Sequence, residues 1–203
     1  MAKIGAIILA AGESSRLGKP KQLIELQGKT LLRHVVDAVT EVHCSPTVVV
    51  IGIHQAELRN ELHATEVVVL ENKNWRRGIG TSIRAGVQYL LDNKANVDGV
   101  ILLVCDQPFV NANTIRKLVR LRESTQKSIV ASSYADTLGV PALFDRSLFP
   151  ELLSLGDEAG AKSVILKNRA RVAEFGFPQG EIDIDTRDDW KKLTQAGHPA
   201  RDD

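Results

Sequence analysis

The sequence predicts a Rossmann-like α/β fold in three layers, with a doubly wound, mostly parallel sheet. Apolar runs of strand length recur along the first half of the chain, and they are continuous and rich in β-branched residues, which is typical of strands buried on both faces. Segments of helical periodicity lie between these runs. The length of 203 residues suits one domain that buries a core without metal or disulfide staples.

Four strands are predicted in the first half. They cover Ile4–Leu9, Thr47–Ile51, Glu66–Leu70 and Val100–Val104. The apolar spacing predicts one helix after a capping Thr30, one over Gly80–Leu91, and one opened by Asn113 or Thr114. This alternation indicates a parallel sheet covered by helices.

The second half is less regular. The pattern predicts strands over Leu138–Phe144 and Arg171–Phe175, and helices over Leu148–Leu153, Asp157–Lys167 and Thr186–Gln195. We interpret residues 1–196 as a single domain. Residues 197–203 have no apolar anchor, so we expect a disordered tail there.

The charge balance excludes a general nucleic-acid binder. The chain carries 26 Lys+Arg against 25 Asp+Glu, whereas such binders usually show a marked basic excess. One helical segment holds four cations, Arg116, Lys117, Arg120 and Arg122. We interpret them as a solvated face. No signal peptide pattern and no run of ~18 apolar residues is present, so we expect a cytoplasmic protein without a membrane partner.

Two cysteines are too few for a disulfide framework or a metal cluster. Cys105 lies in an apolar run, which favours a small buried hydrophobe. A catalytic thiol is the alternative.

The segment after the first strand is suited to binding phosphate. Its small residues Ala10, Ala11 and Gly12 let a ligand approach the backbone, whose N–H groups can point at anionic oxygens. Three cations that can neutralise phosphate charge follow: Arg16, Lys19 and Lys21. The glycine spacing matches neither a P-loop nor a dinucleotide fingerprint, and a mobile surface turn is the other interpretation.

Four segments, in order, resemble the nucleotidyltransferases that attach a nucleotide to molybdopterin, and among them the molybdenum cofactor cytidylyltransferases. They are Leu9-Ala-Ala-Gly-x-Ser-x-Arg-x-Gly-x-x-Lys21, Asn72–Gly86, Leu103-Val-Cys-Asp-Gln-Pro108 and Asp183-Ile-Asp-Thr-Arg-Asp-Asp189. The resemblance implies a fold of the nucleotide-diphospho-sugar transferase type. It implies transfer of CMP from CTP to the terminal phosphate of molybdopterin, with Mg²⁺ as cofactor and a molybdoenzyme as a further partner.

The implied reaction joins anions, so the protein must supply cations, a metal and positioning. Asp106 follows a predicted buried strand and is the first candidate metal ligand. The resemblance makes Asp185 the second, with Asp183 on the opposite face of a predicted short strand. It assigns Lys21 to the substrate phosphates and Arg16 to the leaving pyrophosphate. An ordinary exposed acid is the alternative for Asp185.

Further nucleotide contacts are expected from the first and second matching segments. They are Leu9, Ala10, Ala11, Gly12, Asn72, Gly80, Thr81 and Ser82. Thr81 and Ser82 can equally be N-caps of the helix that they open. Trp75 is interpreted either as a packed anchor or as a wall of the acceptor site.

Ala11 bears on which nucleotide base is used, and Val140 bears on the identity of the acceptor. In the resembled family, alanine at the position of Ala11 is typical of members that use CTP, and glycine of guanylyl transfer. Val140 stands where the family often has histidine, which leaves the acceptor open. A sugar or polyol phosphate is therefore an alternative acceptor, and a cofactor-binding maturation factor without turnover is an alternative of another class.

Overall fold

The computed structural model describes residues 2–13, 20–184 and 189 of the chain. The strands are β1 (Ile4–Ala10), β2 (Glu25–Leu26), β3 (Lys29–Thr30), β4 (Thr47–Ile51), β5 (Val68–Glu71), β6 (Gly99–Val104), β7 (Ile129–Tyr134), β8 (Thr137–Asp145) and β9 (Val172–Gly176). The α-helices are α1 (Leu31–Glu41), α2 (Gln55–Leu62), α3 (Ile79–Asp92), α4 (Ala112–Thr125), α5 (Phe149–Leu153) and α6 (Ala161–Lys167).

Seven strands form one sheet in the order β5-β4-β1-β6-β8-β7-β9. The neighbours from β5 to β6 are parallel, and so are β7 and β9, whereas β8 is antiparallel to both of its neighbours. The predicted doubly wound, mostly parallel α/β sheet is confirmed. Since β4 and β6 flank β1 on opposite sides, β1 lies where the strand order reverses, and ligands bind at such points beyond the carboxyl ends of the strands.

Helices cover both faces of the sheet, as continuous apolar strands require. On one face, Leu32 of α1, Leu58 of α2 and Leu118 of α4 pack in one buried cluster. On the other, Val87 of α3 and Ile165 of α6 pack in a second. All seven residues of β1 are buried, which holds its carboxyl end in a fixed place.

Most predicted elements are present, with boundary shifts that have local causes. The side chain of Asn111, rather than Asn113 or Thr114, caps α4 by accepting from the backbone N–H of Thr114 at 3.1 Å. Helix α6 begins at Ala161 instead of Asp157, because the backbone around Asp157 packs against the start of α3. The predicted helix over 186–195 and the predicted tail lie outside the described residues.

The basic helix face is partly paired with acids. Arg116 bonds Glu41 at 2.7 Å and Arg122 bonds Asp145 at 2.6 Å. Lys117 and Arg120 are exposed, as the predicted solvated face requires, whereas the Arg122 side chain is only 16% exposed and is therefore largely buried. In the described part of the chain, no helix is long and apolar enough to cross a membrane.

Candidate nucleotide site

A cleft of about 210 Å³ lies at the carboxyl ends of β1 and β6. These strands are neighbours, and Leu9 is in register with Val104, so the segments that leave them face each other. The walls include Ala11, Gly12, Lys21, Ser82 and Asp106. The structure thus brings together the residues predicted from the first loop and from the segment after β6.

Lys21 and Asp106 form the charged centre of the cleft. Lys21 Nζ lies 2.5 Å from Asp106 Oδ2, and both side chains are less than one-fifth exposed. The other carboxylate oxygen, Asp106 Oδ1, is buried and has no hydrogen-bond partner among residues 2–13, 20–184 and 189. A buried carboxylate oxygen is costly to leave unpaired, so Asp106 retains capacity for a cation.

The donor set at this position fits a hard divalent cation that is held mainly by substrate. No group of three His, Cys, Asp or Glu is gathered anywhere in residues 2–13, 20–184 and 189. Mg²⁺ is often held by one or two carboxylates plus phosphate oxygens, which agrees with Asp106 as a ligand.

The second predicted metal ligand, Asp185, lies outside the described residues, as does Arg16. The chain before Asp185 does reach the site, because the N–H of Ile184 donates to the carbonyl of Asp106 at 3.1 Å. The short strand predicted around Asp183 is wrong over its described part, because Asp183 and Ile184 do not lie in a strand. This segment is fixed by its contact with the β6 end and not by sheet pairing.

Gln22 is a site residue that the sequence did not reveal. It is fully buried, and its Nε2 donates to the carbonyls of Ala10 at 2.9 Å and Gly12 at 3.0 Å. Its Oε1 is buried in the wall of the cleft and has no hydrogen-bond partner within the described part of the chain. The side chain therefore fixes the loop after β1. The only sequence signal was a glutamine beside Lys21, which is too common a pattern to interpret.

The residues predicted from the second matching segment, Asn72–Gly86, do not all line the cleft. Ser82 lines the cleft, whereas Asn72 and Thr81 line a separate depression. Asn72 Nδ2 donates to Thr81 Oγ1 at 2.8 Å and to Ser82 Oγ at 2.9 Å. Thr81 Oγ1 in turn donates to the carbonyl of Gly78 at 2.7 Å. In the described structure, Asn72 and Thr81 thus hold Ser82 in position.

Trp75 lines this cleft. It packs so closely on Gly52 that a Cβ there would lie 2.6 Å from the indole Cγ and 2.8 Å from the carbonyl of Ala11. The Arg76 guanidinium lies 5.0 Å from the ring centroid. Trp75 is therefore both a packed anchor and a wall of the cleft.

Comparison with known proteins agrees with this geometry. Residues 6–172 match the family described as MobA-like NTP transferase domain. The chain belongs to this family.

Among solved structures, Rv0371c from Mycobacterium tuberculosis H37Rv superposes on this MobA-like chain with a TM-score of 0.78 at 28% identity, over 96% of this chain and 99% of the other. The same protein in complex with manganese gives 0.74 at 28% identity. A curated relative named nicotine blue oxidoreductase, from Paenarthrobacter nicotinovorans, is 28% identical over 78% of this chain and 79% of its own length.

The bifunctional protein GlmU of Thermobifida fusca is 32% identical over 135 residues, which are 63% of this chain. The matched part is 27% of that relative. The MobA-like chain thus corresponds to about a quarter of the length of these bifunctional proteins.

The loop over residues 156–160 is docked on the start of α3. Asp157 accepts from Arg77 at 2.6 Å and from Arg84 at 2.5 Å, and its carbonyl accepts from the N–H of Gly80 at 2.8 Å. A Cβ on Gly80 would lie 2.0 Å from the carbonyl oxygen of Gly156. Glycine is required at residue 80 by this contact, in addition to any contact with nucleotide.

Cys105 is buried beside this site, as predicted. Burial, and secondarily the charge of Asp106, raise the pKa of its thiol from 9.0 to about 12. The thiol is therefore protonated at neutral pH. A protonated thiol is a poor nucleophile, which argues against the catalytic alternative.

Proposed function

We propose that this protein is a metal-dependent cytidylyltransferase, which transfers CMP from CTP to the terminal phosphate of a molybdopterin-type acceptor. The observation that carries the proposal is the pairing of Asp106 with Lys21 beside the loop after β1, in which Asp106 Oδ1 has no partner among the residues that the structure describes. A carboxylate for a metal and an ammonium for phosphate are the two charges that nucleotidyl transfer needs.

In the proposed reaction, an oxygen of the acceptor phosphate attacks the α-phosphorus of CTP. The bond from this phosphorus to the bridging oxygen breaks, and pyrophosphate leaves with the electron pair. A divalent cation, when bound at Asp106, would supply positive charge to the reacting phosphates. The manganese complex of Rv0371c supports a divalent metal in this family.

The chain's own residues position the substrates. Gln22 fixes the carbonyls of Ala10 and Gly12, so the loop presents its backbone to the nucleotide in one conformation. Lys21 neutralises Asp106 and, with nucleotide bound, phosphate. Arg16 and Asp185 remain the proposed contacts to the pyrophosphate and the metal.

The choice of cytidine rests on Ala11. This residue is buried in the cleft wall, so its methyl group narrows the space that glycine would leave. One such carbon discriminates between ligands by only about 1–3 kcal/mol. We therefore propose CTP as the preferred and not the exclusive nucleotide.

A different phosphorylated acceptor is the second candidate. Val140 replaces the histidine that is frequent in the resembled family, so one polar group expected for the acceptor is absent. The curated relatives also bear names of different activities. The cytidylyl transfer itself does not depend on this choice.

Pyrophosphate release tests these candidates. Each of the four nucleoside triphosphates is incubated with Mg²⁺ or Mn²⁺, with and without molybdopterin. Release only with CTP plus molybdopterin is expected. Release with CTP plus a sugar or polyol phosphate would favour the second candidate. Absence of release with any nucleotide and any of these acceptors would contradict both and favour a binding protein without turnover.

A further inference from the structure

The segment over residues 177–184 is joined to the end of β6 by two hydrogen bonds. Gln107 Nε2 donates to the carbonyl of Gly180 at 2.8 Å, and the N–H of Ile184 donates to the carbonyl of Asp106 at 3.1 Å. Since Gln107 directly follows Asp106, two neighbouring residues at the end of β6 fix the course of this segment.

The middle of the segment is packed closely against two aromatic rings. A Cβ at Gly180 would lie 2.6 Å from Cδ1 of Phe177 and 2.6 Å from Cδ1 of Tyr134. The backbone at Gly180 is therefore in contact with the sheet on one side and hydrogen-bonded to Gln107 on the other. The chain thus reaches Ile184 along a fixed path.

The side chain of Ile184 is buried in a small apolar cluster. It is 0% exposed and packs with Ile24 and Leu31, apart from the two large cores that flank the sheet. Ile182, two residues earlier in the same segment, is 39% exposed. Burial is therefore specific to Ile184 and is not a property of the whole segment.

Ile24 closes the turn that carries Lys21. Residues Lys21–Leu23 form a short 3-10 turn, and the N–H of Ile24 donates to the carbonyl of Lys21 at 3.1 Å. The N–H of Leu31, the first residue of α1, donates in turn to the carbonyl of Ile24 at 2.9 Å. The hydrogen bonds of a 3-10 turn are weaker than those of an α-helix, so the position of this turn depends on the side chains packed against it.

We propose that Ile184 is a positioning residue for the pair formed by Lys21 and Asp106. Its N–H holds the backbone of Asp106, and its side chain holds the turn of Lys21, so one residue sets the separation of two charges that come from different elements. Groups of a binding site must be held within about 0.5 Å of their productive geometry. The proposal rests on the proposed function, because its consequence is the affinity for CTP with a divalent metal.

Matched truncations separate this role from a general loss of core packing. Ile184 and Ile129 are both 0% exposed, but Ile129 pairs with Phe144, which pairs with Val100 near the amino end of β6, away from the cleft. Each isoleucine is changed to Val and to Ala in the full chain. Calorimetry with Mn²⁺ then measures CTP affinity, and thermal unfolding measures stability.

We expect CTP affinity to fall at least about twofold for Ile184→Val and at least about tenfold for Ile184→Ala, because the charge pair is no longer held. Both Ile129 variants should lose stability and keep the affinity of the wild type. Ile182→Ala, at the exposed position of the same segment, should change neither property.

Hydrogen exchange gives a readout that needs neither metal nor nucleotide. The amide of Ile24 should exchange at least about tenfold faster in Ile184→Ala than in the wild type, because its turn loses a packing partner. The amide of Ile7, in the middle of β1, should exchange as in the wild type. Ile129→Ala should leave the exchange of Ile24 unchanged.

Unchanged CTP affinity in the folded Ile184 variants would overturn the inference, and so would equal losses of affinity in the Ile184 and Ile129 variants. An unchanged exchange rate at Ile24 would also overturn it. If Ile184→Ala does not fold, the two valine variants decide. Failure of the wild type to bind CTP with Mn²⁺ would instead contradict the proposed function, and the exchange rate at Ile24 would still test the role of Ile184.

Discussion

At the scale of single residues, the site combines side chains that could be predicted from the sequence with one that could not. Asp106 was predictable because it follows a buried strand at the edge of the sheet where ligands bind, and Lys21 because the motif that the first loop resembles has a lysine at this position. Gln22 was not predictable, because its role depends on the path of the backbone at Ala10 and Gly12. The pattern that included Asn72 and Thr81 could not show that they lie behind Ser82.

We expect Gln22→Leu to destabilise the protein by about 1–3 kcal/mol, because two loop carbonyls lose a buried donor. CTP affinity should fall as well, since the loop is no longer fixed. Urea unfolding and CTP titration measure the two effects. Gln88→Leu, at an exposed position of α3, is the control, and similar losses in both variants would contradict the role of Gln22.

The Cys105 thiol should make stability depend on pH in the alkaline range. Its pKa is about 12 in the folded protein and 9.0 ordinarily, so above about pH 9 the unfolded chain binds fewer protons than the folded one. The free energy of unfolding should therefore fall as pH rises above 9. Cys105→Ala should reduce this slope in urea unfolding from pH 8 to 10.5, and an unchanged slope would contradict it.

At the scale of elements, helical and strand periodicity predicted the helices and strands that are long and that bury many apolar residues. It missed α2, which buries only Leu58 and Leu62, and β7, whose apolar start ends in Ser132 and Ser133. Ser132 can be buried without a large cost because its hydroxyl donates to the carbonyl of Pro141 at 2.6 Å, a contact between strands that a local pattern does not contain. The late start of α6 likewise depends on contacts with α3.

Two glycines test the docking of the 156–160 loop on α3. A Cβ on Gly80 would collide with the carbonyl of Gly156, whereas a Cβ on Gly156 would meet nothing within 4 Å. We expect Gly80→Ala to cost about 1–3 kcal/mol of stability and to weaken CTP binding. Gly156→Ala should change stability by much less. Equal thermal stability of the two variants would show that the loop does not constrain α3.

At the scale of the whole molecule, the charge balance conceals a separation of charge. The chain has a formal net charge of +1, yet Lys21 arrives from the loop after β1 and Asp106 from the end of β6. The sheet order determines this meeting, because β1 and β6 are parallel neighbours at the point where the order reverses. The fold class was predictable from strand composition, and so was the edge of the sheet that carries the site. The antiparallel placement of β8 was not.

The central claim is that Asp106 holds a divalent metal against the nucleotide. Its most direct test is CTP binding to the wild-type chain and to Asp106→Asn, with and without Mn²⁺, with Asp136→Asn at an exposed turn as the control. We expect Mn²⁺ to strengthen CTP binding to the wild type and to the control at least tenfold, and to have little effect on Asp106→Asn. An equal Mn²⁺ effect in all three proteins, with the fold intact by circular dichroism, would contradict the claim.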